Sequence, residues 1–289
     1  MSLPKILFKP FRLALVQMAV GSDKTANVKW ASERVAQAAK AGANLVVLPE
    51  CFNSPYGTQH FDAYAEVIPE GLTIQALAQM AKDARIYLVG GSIPEREETT
   101  GKLYNTSTVF SPQGERIATH RKIHLFDIDV PGKIRFKESD ALSPGNQLTY
   151  FDTEYGRIGM GICYDIRFPE LAMVASRKGC IAMVYPGAFN MTTGPQHWEL
   201  LTRARAVDNQ MYVATCSPAR DTSGEGYTAW GHSSVADPSG KVIATTDETD
   251  SIVYADLDPK VMEDFRQSVP LSTQRRFDVY PDVSQSASS

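Results

Sequence analysis

The chain has 289 residues, 43% of them hydrophobic, and a net charge of −4. That is enough apolar material for a sizeable core, in one large α/β domain or two smaller ones, while the mild charge sets aside nucleic-acid binding and a polybasic membrane surface. No apolar run approaches the roughly 18 residues that cross a bilayer, so no membrane partner is expected.

Lys5, Lys9 and Arg12 surround short apolar segments at the N-terminus, which makes a poor secretory signal and leaves a weak organellar leader open. Cys51, Cys163, Cys180 and Cys216 are scattered without a CxxC pair, which argues against a zinc site or a disulfide framework. A reducing compartment follows: the cytoplasm, with the mitochondrion as a second location.

In chain order, residues 12–18 (RLALVQM) alternate like a strand. Residues 27–43 carry Val28, Ala31, Val35 and Ala38 at helical spacing and stop at Gly42. Residues 45–48 form an apolar strand of the kind buried on both faces, running into Pro49-Glu50-Cys51. A loop over 52–61, a helix over 72–83 and a strand over 86–92 come next. Segments 103–110 and 115–120 make a hairpin about Pro112-Gln113-Gly114. Residues 121–146 read as an irregular passage of charges and prolines, longer than a plain connector. Then follow strand 156–162, helix 168–178, strand 181–185, helix 197–209 and strand 212–217. A second hairpin, 232–236 with 241–245, turns at Pro238-Ser239-Gly240, before a last strand over 251–256 and a helix over 259–268. The core is expected over about residues 10–270, with the polar tail 271–289 frayed.

The chain also repeats itself. SSVADPSGKVIAT (233–245) matches STVFSPQGERIAT (107–119), and YVATCS (212–217) matches YLVGGS (87–92). AMVYPG (182–187) parallels LVVLPE (45–50), and RIGMGI (157–162) parallels RLALVQ (12–17). Turn chemistry alone favours Pro-x-Gly anywhere, but matches in the same order point to two β-α-β-α-β-β halves. Each half would be a sheet with helices on one face. Packing the bare faces together gives an α/β fold of four layers, α-β-β-α, in a single domain.

Strand ends are where α/β folds place sites. Glu50 ends the buried strand, where a low-dielectric wall raises a carboxyl pKa toward the range of a general base. Lys122, in HRKIHLF, offers a cation to a developing oxyanion. Cys163 sits where the strand 156–162 turns into a helix opened by Arg167-Phe168-Pro169, a corner that exposes a thiol beside helix N–H groups. In the repeat, Gly187 stands where Glu50 stands, so the architecture does not itself require the acid. A structural ion pair between Glu50 and Lys122 remains the competing reading, and a Cys–His pair is the competing nucleophile arrangement. None of His60, His120, His124, His197 or His232 has a local signature for it. For a substrate carboxylate, Arg is better shaped than Lys. Arg220 in SPARD is the candidate, against a surface pairing with Asp221 or Glu225. Phe189 and Asn190 of GAFN, with Tyr56 and His124, are candidates for lining the pocket. Arg167 is expected to brace the corner beside Asp165 or Glu170.

LPECFNSPY, HRKIHLFD, GICYDIRFPEL and RARAVDNQ resemble the nitrilase superfamily of carbon–nitrogen hydrolases across nearly the whole chain. The resemblance implies a catalytic Glu–Lys–Cys on Glu50, Lys122 and Cys163, with a second, supporting glutamate on Glu138. It implies an oxyanion held by Lys122 and the backbone N–H of Tyr164, no metal or organic cofactor, and a homodimer. The text YPGAFNMTTGPQHWELLTRARAVDNQ, CSPARD and WGHS looks like the ω-amidase branch. Members of that branch hydrolyse the distal amide of 2-oxoglutaramate and 2-oxosuccinamate. An amidase for deaminated glutathione or a carbamoyl compound, a true nitrilase, an inactive interaction module and a thiol redox sensor are the alternatives.

Overall fold

The computed structural model describes residues 6–130, 134–222 and 226–285. The elements run β1 (Phe11–Gln17), α1 (Lys24–Lys40), β2 (Leu45–Val47), α2 (Thr58–Tyr64), α3 (Leu72–Ala84), β3 (Tyr87–Val89), β4 (Ile93–Arg96), β5 (Leu103–Phe110) and β6 (Arg116–Arg121). They continue with β7 (Asp127–Val130), β8 (Ile134–Lys137), β9 (Thr149–Asp152), β10 (Arg157–Met160), α4 (Pro169–Arg177), β11 (Cys180–Pro186), α5 (Gly194–Asn209) and β12 (Tyr212–Cys216). β13 (Ser234–Ala236), β14 (Val242–Thr245), β15 (Ser251–Leu257), α6 (Pro259–Ser268) and α7 (Leu271–Gln274) complete the chain.

Two sheets carry the repeat. One runs β15-β1-β2-β3-β5-β4, with β6 on β5; the other runs β14-β13-β12-β11-β10-β9. In each, consecutive βαβ units lay three strands parallel, β1-β2-β3 and β10-β11-β12, before an antiparallel hairpin strand. Alternation along the strands decides which face each side chain serves. Leu13, Leu15, Leu45 and Val47 point inward against Ile158, Met160, Ala182 and Val184, making one core shared by both sheets. Ala14, Val16, Val46 and Leu48 point outward onto Ala31, Val35, Ile74 and Leu77 of α1 and α3. Met183 and Val213 likewise meet Leu171, Ala175, Trp198 and Ala206 of α4 and α5. The layers are therefore α-β-β-α, as the repeat predicts.

Several expectations need correcting. Residues 52–61 are not all loop: α2 begins at Thr58. Residues 121–146 hold the antiparallel pair β7–β8 and a 3-10 turn over Glu138–Asp140, so the passage is structured where charge density hid its alternation. The last strand falls where expected, as β15 antiparallel to β1, but two strands outside the repeat were not expected, β4 antiparallel to β5 and β9 antiparallel to β10. The tail does not fray over its described length. The Arg177 guanidinium holds Asp282 at 2.9 Å and lies over the Phe277 ring, and Arg275 donates to the Asp208 carbonyl. These contacts lay residues 275–282 along α4 and α5; residues 286–289 lie outside the described set.

Candidate active site

β10 ends in two residues of extended chain and then a tight 3-10 turn over Cys163–Arg167. Cys163 stands at the bend with φ of 47°, the left-handed region that a side chain rarely adopts. Asp165 holds the bend. Its carboxylate reaches back to accept from the Ile162 N–H at 2.9 Å, and also accepts from the His124 N–H at 2.9 Å. The His124 and His120 rings close on it at 2.8 and 3.1 Å. Burial pushes its pKa up, but the bonds from His120 and His124 outweigh that and hold it below the usual carboxylate range. Gly187 bears on the asymmetry of the repeat: a Cβ there would come within 3.1 Å of the Cys163 Cα and 3.3 Å of the Trp198 ring, so a side chain would make the nucleophile turn or the ring shift. On the other side, Gly91 (φ 57°) passes against the carbonyl of Pro49, where any Cβ would strike backbone.

Glu50, Lys122, Glu138 and Cys163 converge from the ends of β2, β6, β8 and β10. Their exposures are 1, 0, 0 and 5%. The Lys122 ammonium donates to Glu50 at 3.1 Å and to the two Glu138 oxygens at 2.9 and 2.8 Å. Glu50 also accepts from the Asn105 amide and the Ala188 N–H, each at 2.8 Å. Glu138 also accepts from the Tyr56 hydroxyl and the Phe126 N–H, each at 2.7 Å. Burial would strip the charge from Lys122, but Glu138 and Glu50 together raise its pKa well above normal, so it stays an ammonium. Burial raises Glu50, with Glu138 adding to it and Lys122 opposing. The Cys163 thiol is pushed well up by burial and by Glu50, with Lys122 opposing. The resting sulfur is therefore a neutral thiol beside a carboxylate, not a preformed thiolate.

Two small cavities open on this cluster. One is lined by Cys163, Tyr164, Arg167, Phe189 and Asn190. The other is lined by Glu50, Ser54, Tyr56 and Ala219. Tyr227 borders both. Phe189 and Asn190 are thus on the Cys163 side; the Asn190 side-chain oxygen accepts from the Thr192 and Thr193 N–H groups. Tyr56 stacks between Phe136 and Tyr227 behind Glu138. The two remaining substrate-binding expectations do not reach the cysteine. His124 stacks on Phe168 at 3.6 Å and faces a separate surface cavity with Asn146 and Leu148. Arg220 lies over Trp230, donates to the Ala229 and Trp230 carbonyls and pairs with Glu248 at 3.6 Å. Of the surface partners expected for it, Glu225 lies outside the described residues, and the carboxylate seen to pair with it is Glu248. Arg167 is the reverse case. It does not brace Asp165, whose oxygens His120, His124 and Ile162 fill. Instead it lies over Phe189 at 4.8 Å, bonds the His197 ring at 3.2 Å and lines the Cys163 cavity.

The model of the carbon–nitrogen hydrolase family matches residues 12–267. The chain belongs to the carbon–nitrogen hydrolase family, the nitrilase superfamily. It is 64% identical to a hydrolase of Schizosaccharomyces pombe, over 96% of this chain and 85% of that one. It is 60% identical to omega-amidase NIT2 of Danio rerio, over 93% of this chain and 96% of that one. Among solved structures, Nit3 of Saccharomyces cerevisiae, a member of branch 10 of the nitrilase superfamily, superposes with a TM-score of 0.88 at 51% identity. That match covers 96% of this chain and all of the other.

For a carbon–nitrogen hydrolase, the cluster offers a thiol, an adjacent carboxylate that can take its proton, and a fixed cation for an oxyanion. The residues that sequence reasoning missed are those that hold this set in place. Asn105 sits in the polar run YNTST of β5, where nothing distinguishes it from its neighbours. Asp165 and His120 were legible as a corner acid and an unassigned histidine, but their pairing spans 45 positions. Tyr227 follows the run PARDTSGEG, whose sequence has no periodicity to mark it.

Proposed function

We propose that the protein is an ω-amidase: it hydrolyses the distal amide of 2-oxoglutaramate and 2-oxosuccinamate to the 2-oxo diacid and ammonia, through a thioester on Cys163. The observation that carries this reading is the Cys163 cavity, which the thiol and Arg167 line together, with the buried Glu50–Lys122–Glu138 cluster beside the thiol. Arg167 is half-buried, burial lowers its pKa, and its contacts among the described residues are the Tyr164 and Phe189 rings and the His197 ring rather than a carboxylate. A desolvated guanidinium without an anion is a site for one, and the carboxylate beside the 2-oxo group, at the opposite end of the substrate from the amide, fits it. Arg167 therefore takes the role expected of Arg220. The similarity to omega-amidases supports the same substrate class.

In the proposed mechanism Glu50 takes the Cys163 proton as sulfur attacks the amide carbon. A raised carboxyl pKa suits that base near neutral pH, and a neutral resting thiol requires it. The oxyanion is held by the Lys122 ammonium and the Tyr164 N–H in the first turn after the nucleophile. Glu50 then protonates the nitrogen, and ammonia leaves the thioester. Glu50 next takes a proton from water, the hydroxide attacks the thioester, and the sulfur recovers its proton as the acid departs. Glu138 holds Lys122 in place and charged throughout. The assembly proposed is a homodimer, which sedimentation velocity tests. The activity test is ammonia release from 2-oxoglutaramate against deaminated glutathione. Preference for the first supports the reading; preference for the second, or inertness to both, refutes it.

A further inference from the structure

HRKIHLF places one histidine two residues before Lys122 and another two residues after it. Neither ring takes part in the mechanism above. Both turn to the carboxylate of Asp165, two residues past the nucleophile. Its Oδ2 accepts from the Ile162 N–H at 2.9 Å and meets His120 Nε2 at 3.1 Å. Its Oδ1 accepts from the His124 N–H at 2.9 Å and meets His124 Nδ1 at 2.8 Å. A carboxylate only accepts, so His120 carries a proton on Nε2 and His124 one on Nδ1. Four donors fill the acceptor capacity of the two oxygens.

The segments joined in this way belong to different sheets. Lys122 follows β6 of one, and Cys163 follows β10 of the other. Asp165 holds the residue just before the sulfur on one side and both flanks of the lysine on the other. A second tie runs beside it: His120 Nδ1 meets the Thr149 hydroxyl at 3.0 Å, on β9, which pairs with β10. His124 adds its stack on Phe168 where the nucleophile turn ends. Asp165 and His120 are buried, so water does not compete for these bonds. The Ala188 N–H ties Glu50 to the second sheet; the Asp165 bridge does the same for the lysine.

We infer that His120 and His124 are positioning residues for the reaction: through Asp165 they fix the Lys122 segment against the Cys163 turn, so that the ammonium stands where the oxyanion develops. An oxyanion donor works only where the charge will appear, and a displacement of about 1 Å can cost about 10²-fold in rate. This role presupposes Lys122 as the oxyanion cation, and so rests on the mechanism proposed above.

Four variants of the full chain test it. His120→Leu and His124→Phe each delete a ring donor, the second keeping an aromatic ring on Phe168 and the backbone N–H to Asp165. His120→Gln and His124→Asn return an amide N–H near the lost position. Acyl transfer is read as ammonia release from 2-oxoglutaramate and as nitrophenol release from p-nitrophenyl acetate, which carries no carboxylate. The thiol and its base are read separately, as alkylation of Cys163 by iodoacetamide, a displacement at carbon that forms no oxyanion. The two deletions should lower kcat about 10–100-fold on both acyl donors, with KM and the alkylation rate within about twofold of the parent. The two amide variants should recover most of that loss. The role is overturned if the deletions turn over like the parent, with or without a lower melting temperature. It is overturned too if alkylation falls in step with turnover, or if the amide variants do no better than the deletions. A parent inert to 2-oxoglutaramate but active on the ester refutes the ω-amidase reading and leaves the bridge to be judged on the ester; one inert to both refutes both.

Discussion

Replacing Lys122 with methionine keeps most of the side-chain volume and deletes the charge. The ammonium sits between Glu50 at 3.1 Å and Glu138 at 2.8 Å, with all three side chains out of solvent. Without it two carboxylates face each other with no counter-charge. Breaking a buried pair by removing one partner costs about 3–5 kcal/mol. For a chain of this length that is a drop of about 5–8 °C in melting temperature. Turnover falls further, by about 10²–10³-fold or more, since an oxyanion donor goes with it. The pH dependence separates this from a packing defect. Burial and Glu138 already raise the Glu50 pKa, and Lys122 is what opposes them. In the variant the folded-state pKa of Glu50 rises further above its unfolded value of about 4.3. A raised folded pKa means stability that is present below the unfolded pKa and lost as pH rises toward the folded one. The deficit of Lys122→Met against the parent should therefore be small near pH 4 and grow steadily toward neutrality. Thermal unfolding followed by circular dichroism across that range measures it. A deficit of the same size at every pH would show that the cost comes from packing, and the charged trio would have to be abandoned.

Asp165→Asn tests the clamp on the nucleophile turn. The Asp165 pKa is held below its ordinary value, so its stabilisation is present above about pH 4 and is lost as pH falls further. Acid unfolding titrations should show a shallower acid loss for the variant, which at neutral pH is less stable by about 1–3 kcal/mol. Arg167→Met should raise KM for 2-oxoglutaramate by about 10–100-fold, the worth of a charged hydrogen bond, and leave a neutral amide of similar length unaffected. Arg220→Met should not reproduce that discrimination in steady-state kinetics. The acid limb of kcat/KM reports Glu50 losing its function as it takes a proton. Since Glu50 is raised, that limb should lie at higher pH than an ordinary glutamate would place it, in a pH–rate profile of the parent.

The parts of the fold legible in the sequence are those where burial imposes a period. β1, β2, β10, β11 and β12 contribute to the shared core from alternating or wholly apolar runs, and the turn residues Pro112-Gln113-Gly114 and Pro238-Ser239-Gly240 set both hairpins. β7, β8 and β9 were hard to see for another reason: DIDV and IRFK do alternate, but four residues set among charges and prolines are too short for the period to stand out, and TYFD of β9 is as short. Glu50 and Cys163 stood out as chemically odd residues just past apolar strands, and Lys122 as a cation just past the first hairpin, and strand ends are where the fold brings them together. Arg167 and Arg220 could not be ranked from the sequence. Both follow strands, and what separates them is direction. Asp165, two residues from Arg167, is turned away by His120 and His124, which frees Arg167 for the cavity; Glu248 and the Trp230 carbonyl hold Arg220 elsewhere.

Everything proposed about the chemistry rests on an acyl group passing through sulfur at the strand–helix corner. Intact-protein mass spectrometry during turnover of 2-oxoglutaramate, followed by digestion, examines that step directly. A mass increase equal to the acyl group, mapped to Cys163 and abolished in Cys163→Ala, is the predicted result. Full turnover by Cys163→Ala, or an acyl adduct carried by Cys51 or any other residue, would contradict it.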